Sequence, residues 1–181
     1  MYKPLPQQFK WLAQMKGPPQ LVFAQALYGL HEGIGAIDNP IIVGWAKATG
    51  YGNVYKHDSD PWCGLFMTWV MHGSGFKPPP ASLSARSWLN FGQKVAKPML
   101  GDVIILWRDS PTGWKGHVGM YVGERPGVYY LLGGNESDQV NIVAESKERV
   151  LGFRRPNYTS DQSANLRSVL IEYTGQKSTD A

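Results

Sequence analysis

The sequence predicts an α+β domain in which N-terminal helices pack on a C-terminal antiparallel sheet of about five strands. Apolar residues recur at helical spacing up to Phe91, whereas short apolar runs separated by turn residues follow from Leu100. The gaps between these runs are too short for the crossover that joins parallel strands. Neighbouring strands should therefore be antiparallel.

The helices of the first half are predicted from apolar spacing and from their end signals. A break at residues 17–19, Gly-Pro-Pro, separates the first two. Asn39 before Pro40 is an N-cap followed by the proline favoured at the first helical position, and Asp60 before Pro61 repeats this signal. The predicted helices run from Gln7 to Lys16, Leu21 to Glu32, Pro40 to Gly50, Asp60 to Gly73 and Ser84 to Phe91.

The second half contains strand-length segments rich in Val, Ile, Tyr and Leu. They are Asp102 to Arg108, His117 to Val122, Val128 to Gly133, Gln139 to Ala144 and Val150 to Arg154. Residues 1–156 are predicted to form a single domain, with residues 1–19 as a helical extension, and residues 157–181 a C-terminal tail. Within this tail, the amphipathic stretch from Ala164 to Tyr173 predicts one short helix before a polar, flexible end.

Composition excludes several classes of protein. The 181 residues are 43% hydrophobic and 12% aromatic, which suits one ordinary core and excludes disorder for most of the chain. No apolar run approaches the roughly 20 residues that span a bilayer, and residues 1–16 lack the pattern of a signal peptide. We therefore expect cytoplasmic synthesis and no stable membrane insertion. The net charge of +4 favours anionic surfaces without choosing among them.

Cys63 is the only cysteine, so it forms neither an internal disulfide nor a multi-thiolate zinc site. A lone cysteine is usually a small buried core residue. However, if Asp60 caps the helix and Pro61 is its first residue, Cys63 lies at the third helical position. There, free N–H groups and the helix dipole stabilise a thiolate. The amides of Cys63 and Gly64 could then bind an oxyanion.

His117 is the histidine best placed to act as a base beside this thiol. It begins a predicted strand, and Gly116 and Gly119 leave space around its ring. The other three histidines are expected to be surface or capping residues: His31, His57 and His72. The histidines lack the spacing of a zinc site, and no metal or other cofactor is expected.

Asn135 and Glu136 are the candidates for a residue that orients the imidazole of His117. A hairpin closed around residues 124–126 places Gly133 opposite His117 and Asn135 diagonally across from it on the same face. A bulge at the glycines would bring Glu136 there instead. Asn135 can equally be a turn residue in a Gly-Gly-Asn corner.

Four residues are candidates for contacts with a substrate. Asp60 is interpreted first as the helix cap and only second as such a contact. Trp62 and Trp114 could line a groove, although buried core tryptophans give the same pattern. Glu136 is the fourth.

Several short motifs occur in order between Gln20 and Pro156. They are Pro61-Trp62-Cys63, Ala85-Arg86-Ser87-Trp88, Gly101-Asp102-Val103, Gly116-His117-Val118-Gly119 and Gly133-Gly134-Asn135. Together they resemble the NlpC/P60 and CHAP superfamily of papain-like cysteine peptidases, in particular a phage- and prophage-associated group of peptidoglycan hydrolases. The resemblance implies Cys63 as nucleophile, His117 as base and Asn135 as orienting residue. Glu136 stands where that group has Gln, so the choice between Asn135 and Glu136 stays open.

The resemblance also implies a function: hydrolysis of an amide bond in the peptidoglycan stem peptide through a cysteine thioester. The enzyme would be an endopeptidase or an N-acetylmuramoyl-L-alanine amidase, first interpreted as a phage or prophage lysin. The alternatives are an antibacterial effector with an immunity protein and a non-catalytic wall-binding or virion structural module. We expect a monomer that binds no nucleic acid and reaches the wall, in the periplasm, by holin-dependent export, by secretion or after lysis.

Overall fold

A computed structural model describes residues 2–172, and in them the predicted α+β class is confirmed. The helices are α1 (Pro19–Ala26), α2 (Pro40–Ala48) and α3 (Cys63–Gly73), with 3-10 helices at Gln7–Gln14, Ala85–Asn90 and Lys147–Arg149. The strands are β1 (Gln93–Val95), β2 (Val103–Trp107), β3 (Gly116–Arg125), β4 (Val128–Gly133), β5 (Asn141–Ser146) and β6 (Val150–Arg155). The first and last helices predicted from periodicity are thus 3-10 helices rather than α-helices.

The sheet is antiparallel, as predicted, but it differs from a simple five-stranded meander. Among the described residues it has six strands in the order β1-β6-β2-β3-β4-β5. β2 to β5 follow one another as neighbours, whereas β6 returns to the free side of β2. The additional strand, β1, is short and largely exposed, and its one partner in the described part of the chain is β6. Its sequence carries no alternating apolar pattern from which it could have been predicted.

α1 is shorter than its apolar spacing indicates. It ends at Ala26, whereas the prediction extended to Glu32. The chain turns at Gly29, which has a φ of +87°, and then runs beside Val140. The N–H of Gly29 donates to the Val140 carbonyl at 2.9 Å, and the Val140 N–H donates to the Leu30 carbonyl at 2.7 Å. These bonds tie the end of α1 to the entry of β5 and replace the predicted helical turns.

The cap predicted for α2 is present, since the side chain of Asn39 accepts the N–H of Ile41 at 2.9 Å. The cap predicted for α3 is wrong. Its N-cap is Trp62, Asp60 is exposed, and Cys63 is the first helical residue rather than the third. The reason is tertiary: Trp62 is fully buried, and its indole Nε1 donates to Glu32 at 2.7 Å, which fixes the point where the helix can begin.

α3 connects the helical half to the sheet. It packs against α1 and α2 and against β3 and β4. The ring of Trp45 in α2 lies 6.1 Å from the rings of both Trp62 and Phe66, so aromatic packing holds the first turn of α3 in place. Between residues 2 and 172, no helix has the length and apolar character needed to cross a membrane.

The pairing of β3 with β4 differs from the predicted hairpin. Met120 pairs with Leu132, where the predicted register required Tyr130. A bulge between Tyr121 and Gly123 shifts the register, and pairing of the two strands stops before it reaches His117. The expected position of Gly133 directly opposite His117 is therefore wrong.

The described part of the C-terminal segment forms a turn at residues 163–165 and is extended after it, where a short helix was predicted from Ala164. The N–H of Glu124 donates to the Val169 carbonyl at 2.8 Å, and the N–H of Ile171 donates to the Glu124 carbonyl at the same distance. Val169 and Ile171 pack on the core. Their spacing of two residues is the period of a strand, which explains the outcome. Tyr173, the last residue of the predicted helix, lies outside the described residues.

Candidate active site

Cys63 lines a surface cleft of about 360 Å³ at the beginning of α3. The residue itself is only 8% exposed. Because the helix begins here, the N–H groups of Cys63 and Gly64 have no hydrogen-bond partner within residues 2–172. The positive end of the helix dipole therefore adjoins the thiol. Cys63 therefore lies in the first turn of a helix, as predicted, although the helix begins two residues later than expected.

His117 lies next to Cys63 and is completely buried in β3. Its imidazole and the thiol of Cys63 interact, and each shifts the pKa of the other. Its Nε2 contacts Oε1 of Glu136, and its Nδ1 lies 3.3 Å from a guanidinium nitrogen of Arg108. Since Glu136 occupies Nε2, Nδ1 is the nitrogen available to Cys63 and Arg108. The other three histidines are exposed, as expected: His31, His57 and His72.

The neighbours of the pair stabilise its charged form. Burial alone raises the pKa of Cys63, but the hydrogen bond and charge of His117, with Arg108 and the N–H of Val118, outweigh burial, so the pKa lies below its usual value. Burial alone lowers the pKa of His117, but Cys63 and Glu136 outweigh it and raise this pKa to about 10. These shifts favour a thiolate beside an imidazolium, which is the reactive form of a cysteine nucleophile.

Of the two residues considered for orienting His117, the structure brings Glu136 into contact and leaves Asn135 apart. Glu136 is buried, with its side chain 7% exposed. Asn135 has a φ of +57°, and within residues 2–172 its side chain makes no hydrogen bond. Asn135 therefore has the conformation of the turn residue that was its alternative interpretation.

Two glycines allow Glu136 to approach the imidazole. A Cβ on Gly133 would lie 3.1 Å from Oε1 of Glu136 and 3.6 Å from Nε2 of His117. A Cβ on Gly134 would lie 2.6 Å from the ring of Trp62. The Gly-Gly pair thus lets the backbone pass between the indole that begins α3 and the histidine of β3.

Gly64 allows a close contact between α3 and the chain before Ser84. A Cβ on Gly64 would lie 2.2 Å from the carbonyl oxygen of Leu83 and 2.6 Å from that of Ser82. Glycine is required because the backbone of residues 82–83 packs directly on the first turn of α3. The N–H groups of Cys63 and Gly64 remain the predicted hydrogen-bond donors to an oxyanion.

The predicted substrate contacts lie in different environments. Trp114 is 81% exposed and lines the cleft with Cys63. Trp62 is fully buried in the core, so the expectation that it contacts a substrate is wrong. Asp60 is exposed but does not line the cleft, although the adjacent Pro61 does.

Arg108 also belongs to the site, although its sequence position did not indicate this. Arg108 follows β2, lines the cleft and contacts His117. No local sequence pattern marks an arginine at the end of a strand as a site residue. Only the pairing of β2 with β3 brings its guanidinium to the histidine. Within residues 2–172, no group of three or more His, Cys, Asp or Glu residues could hold a metal ion.

Comparison with known proteins adds little to this geometry. No protein-family model matches the sequence, and no curated protein matches it. The matching solved structures include that of a protein from Staphylococcus aureus described as similar to lipoprotein, NLP/P60 family. The sequence identity is 15% and the TM-score 0.39, over 82% of this chain and 60% of the other. The chain thus spans about three fifths of that neighbour's length.

Proposed function

We propose that the protein is a cysteine hydrolase that cleaves an amide bond in the stem peptide of peptidoglycan. The observation that carries this proposal is that His117 interacts with both Cys63 and Glu136, and that Cys63 lines a cleft at the beginning of α3. The ordered motifs that resemble the NlpC/P60 and CHAP superfamily supply the substrate class. A lysin of a phage or prophage is the setting we propose for this activity.

The reaction begins with attack of the Cys63 thiolate on the amide carbonyl. A carbon–sulfur bond forms, and the carbonyl oxygen becomes an oxyanion that the N–H groups of Cys63 and Gly64 can stabilise. The carbon–nitrogen bond then breaks while the imidazolium of His117 gives its proton to the departing amine. The product of this half-reaction is a thioester on Cys63.

Water completes the reaction. His117, now neutral, accepts a proton from the water as its oxygen attacks the thioester, and the carbon–sulfur bond breaks to return the thiolate and the imidazolium. Glu136 holds the ring through Nε2 and stabilises its positive charge in both steps.

The test is release of soluble muropeptides from purified sacculi, measured by mass spectrometry. We expect the wild type to release fragments with new free amines, and Cys63→Ala and His117→Ala to release none. His72→Ala is the matched control, because this histidine is exposed and outside the site. A new amine on L-alanine would indicate an amidase, and one within the stem peptide an endopeptidase. Equal release by wild type and Cys63→Ala would refute the proposal.

A further inference from the structure

Arg108 presents a positive charge to the cleft. It is exposed, and within residues 2–172 a guanidinium nitrogen lies 3.3 Å from Nδ1 of His117. No acidic group there forms an ion pair with it. The nearby Lys115 differs, because it pairs with Asp109 at 2.9 Å. An unpaired guanidinium beside a nucleophile is well suited to bind an anionic group of a ligand.

The other walls of the cleft fit the same kind of ligand. Among its lining residues, Arg108 and Lys115 are charged, and none is acidic. Trp114 exposes 81% of its surface on the same side, and the Lys115 ammonium lies 5.9 Å from its ring centre. A carboxylate with a short apolar stem would be matched by the guanidinium and the indole.

Residues 108–115, which we call the β2–β3 loop, are held in position by Arg86. The Arg86 guanidinium donates to the carbonyls of Lys115 at 2.9 Å, Pro111 at 3.0 Å and Ser110 at 2.9 Å. Gly116 makes room for it, because a Cβ there would lie 3.2 Å from the Arg86 Cγ. Three bonds from one planar group hold the loop in a defined shape, so Arg108 and Trp114 are positioned before a ligand arrives.

We propose that Arg108 is a specificity residue that binds a free carboxylate of the substrate next to the scissile amide, while Trp114 packs on the apolar part of the same substrate residue. This proposal rests on the proposed function, since it names the substrate chemistry of that site. It predicts a hydrolase that prefers peptides with an acidic side chain or a free terminal carboxylate beside the cleaved bond.

The first test uses the single cysteine and needs no wall substrate. Anionic iodoacetate and neutral iodoacetamide both alkylate the Cys63 thiolate, so the ratio of their rate constants is independent of the thiolate fraction. We expect Arg108→Gln to lower the ratio of the iodoacetate to the iodoacetamide rate constant about tenfold, and Arg108→Lys to retain most of it. Arg167→Gln is the charge-matched control, since Arg167 is exposed beside Trp11 and does not line the cleft.

An unchanged ratio in Arg108→Gln overturns the proposal. Equal slowing with both reagents would mean that Arg108 acts only on the thiolate, and this too overturns it. Circular dichroism of each variant establishes that the fold is intact.

The second test compares sacculi with free carboxylates and sacculi amidated with carbodiimide and ammonia. We expect wild type to prefer the free form about tenfold in kcat/KM, and Arg108→Gln to lose this preference. A preference that persists in Arg108→Gln contradicts the proposal. If wild type releases nothing from either preparation, the proposed wall hydrolysis fails, whereas a changed alkylation ratio still supports an anion-binding cleft.

Discussion

Nε2 of His117 and Oε1 of Glu136 are in direct contact, and both atoms are shielded from solvent. A carboxylate in this position does two things for the imidazole. It fixes the ring through one nitrogen, and its charge helps to raise the pKa of His117 to about 10. The nitrogen on the other side of the ring is thereby left to face the thiol.

The first prediction concerns which side chain orients His117. We expect Glu136→Ala to lower kcat by about 100-fold or more, the scale of a lost general acid–base contribution, because the ring loses its only carboxylate contact in residues 2–172. Asn135→Gly is the matched control. Glycine accepts the φ of +57° at this position, so the variant removes the side chain without straining the turn.

Steady-state hydrolysis of sacculi, with thermal unfolding of each variant, decides the matter. If Asn135→Gly lost as much activity as Glu136→Ala while both stayed folded, Glu136 would not be the orienting residue.

The second prediction is the pH range in which the thiolate–imidazolium pair exists. The pKa of Cys63 is lowered, so the thiolate persists below the ordinary thiol pKa of about 8.5, and alkylation by iodoacetamide should slow only as pH falls through this lowered pKa. The pKa of His117 is raised to about 10, so hydrolysis should be lost as pH rises through that value. The expected pH–activity profile is therefore broad and extends into the alkaline range.

Two variants separate the two limits of this range. His117→Ala should move the midpoint of Cys63 alkylation upward, because the burial that raises the thiol pKa stays and the imidazolium that lowers it is gone. Glu136→Gln should move the alkaline limit of hydrolysis to lower pH, because it removes a group that raises the His117 pKa. An alkylation midpoint that is the same with and without His117 would contradict the assignment of this pair.

Cys63 and His117 could be predicted from the sequence because each has a local signal. The cysteine follows a proline near a helix start, and the histidine is flanked by glycines at the start of a strand. The start of the helix itself could not be predicted to the residue. Asp60 has the better capping side chain, but burial of Trp62 determines where α3 begins.

Glu136 and Arg108 depend on features that no short pattern encodes. The bulge between Tyr121 and Gly123 changes the β3–β4 register, and the turn after β4 then brings Glu136 rather than Asn135 to the ring. Arg108 reaches His117 only through the pairing of β2 with β3. Cys63 and His117 could therefore be paired from the sequence, while tertiary structure determined which residues surround them.

The third prediction is that Gly64→Ala destabilises the fold although alanine favours helices. The new methyl group would lie 2.2 Å from the Leu83 carbonyl oxygen, and backbone there must shift. We expect a loss of about 1–3 kcal/mol in the free energy of unfolding, as for other overpacked sites. Gly44→Ala in α2 is the control, because a Cβ there meets nothing within 4 Å and should stabilise by up to about 1 kcal/mol. Urea titration measures both, and similar stability changes in the two variants would show that the contact at Leu83 does not matter.

The fourth prediction is that Arg86→Lys loosens the β2–β3 loop without unfolding the protein. Lysine keeps the charge but cannot reach three carbonyls with one planar group, so the bonds to Lys115, Pro111 and Ser110 cannot all persist. Chymotrypsin should then cleave after the exposed Trp114 about tenfold faster than in wild type, because local opening of the loop costs less free energy. Arg167→Lys should leave this rate unchanged, because Arg167 contacts Trp11 and Met15 and not the loop. The wild-type cleavage rate in Arg86→Lys would mean that the loop keeps its shape without the guanidinium.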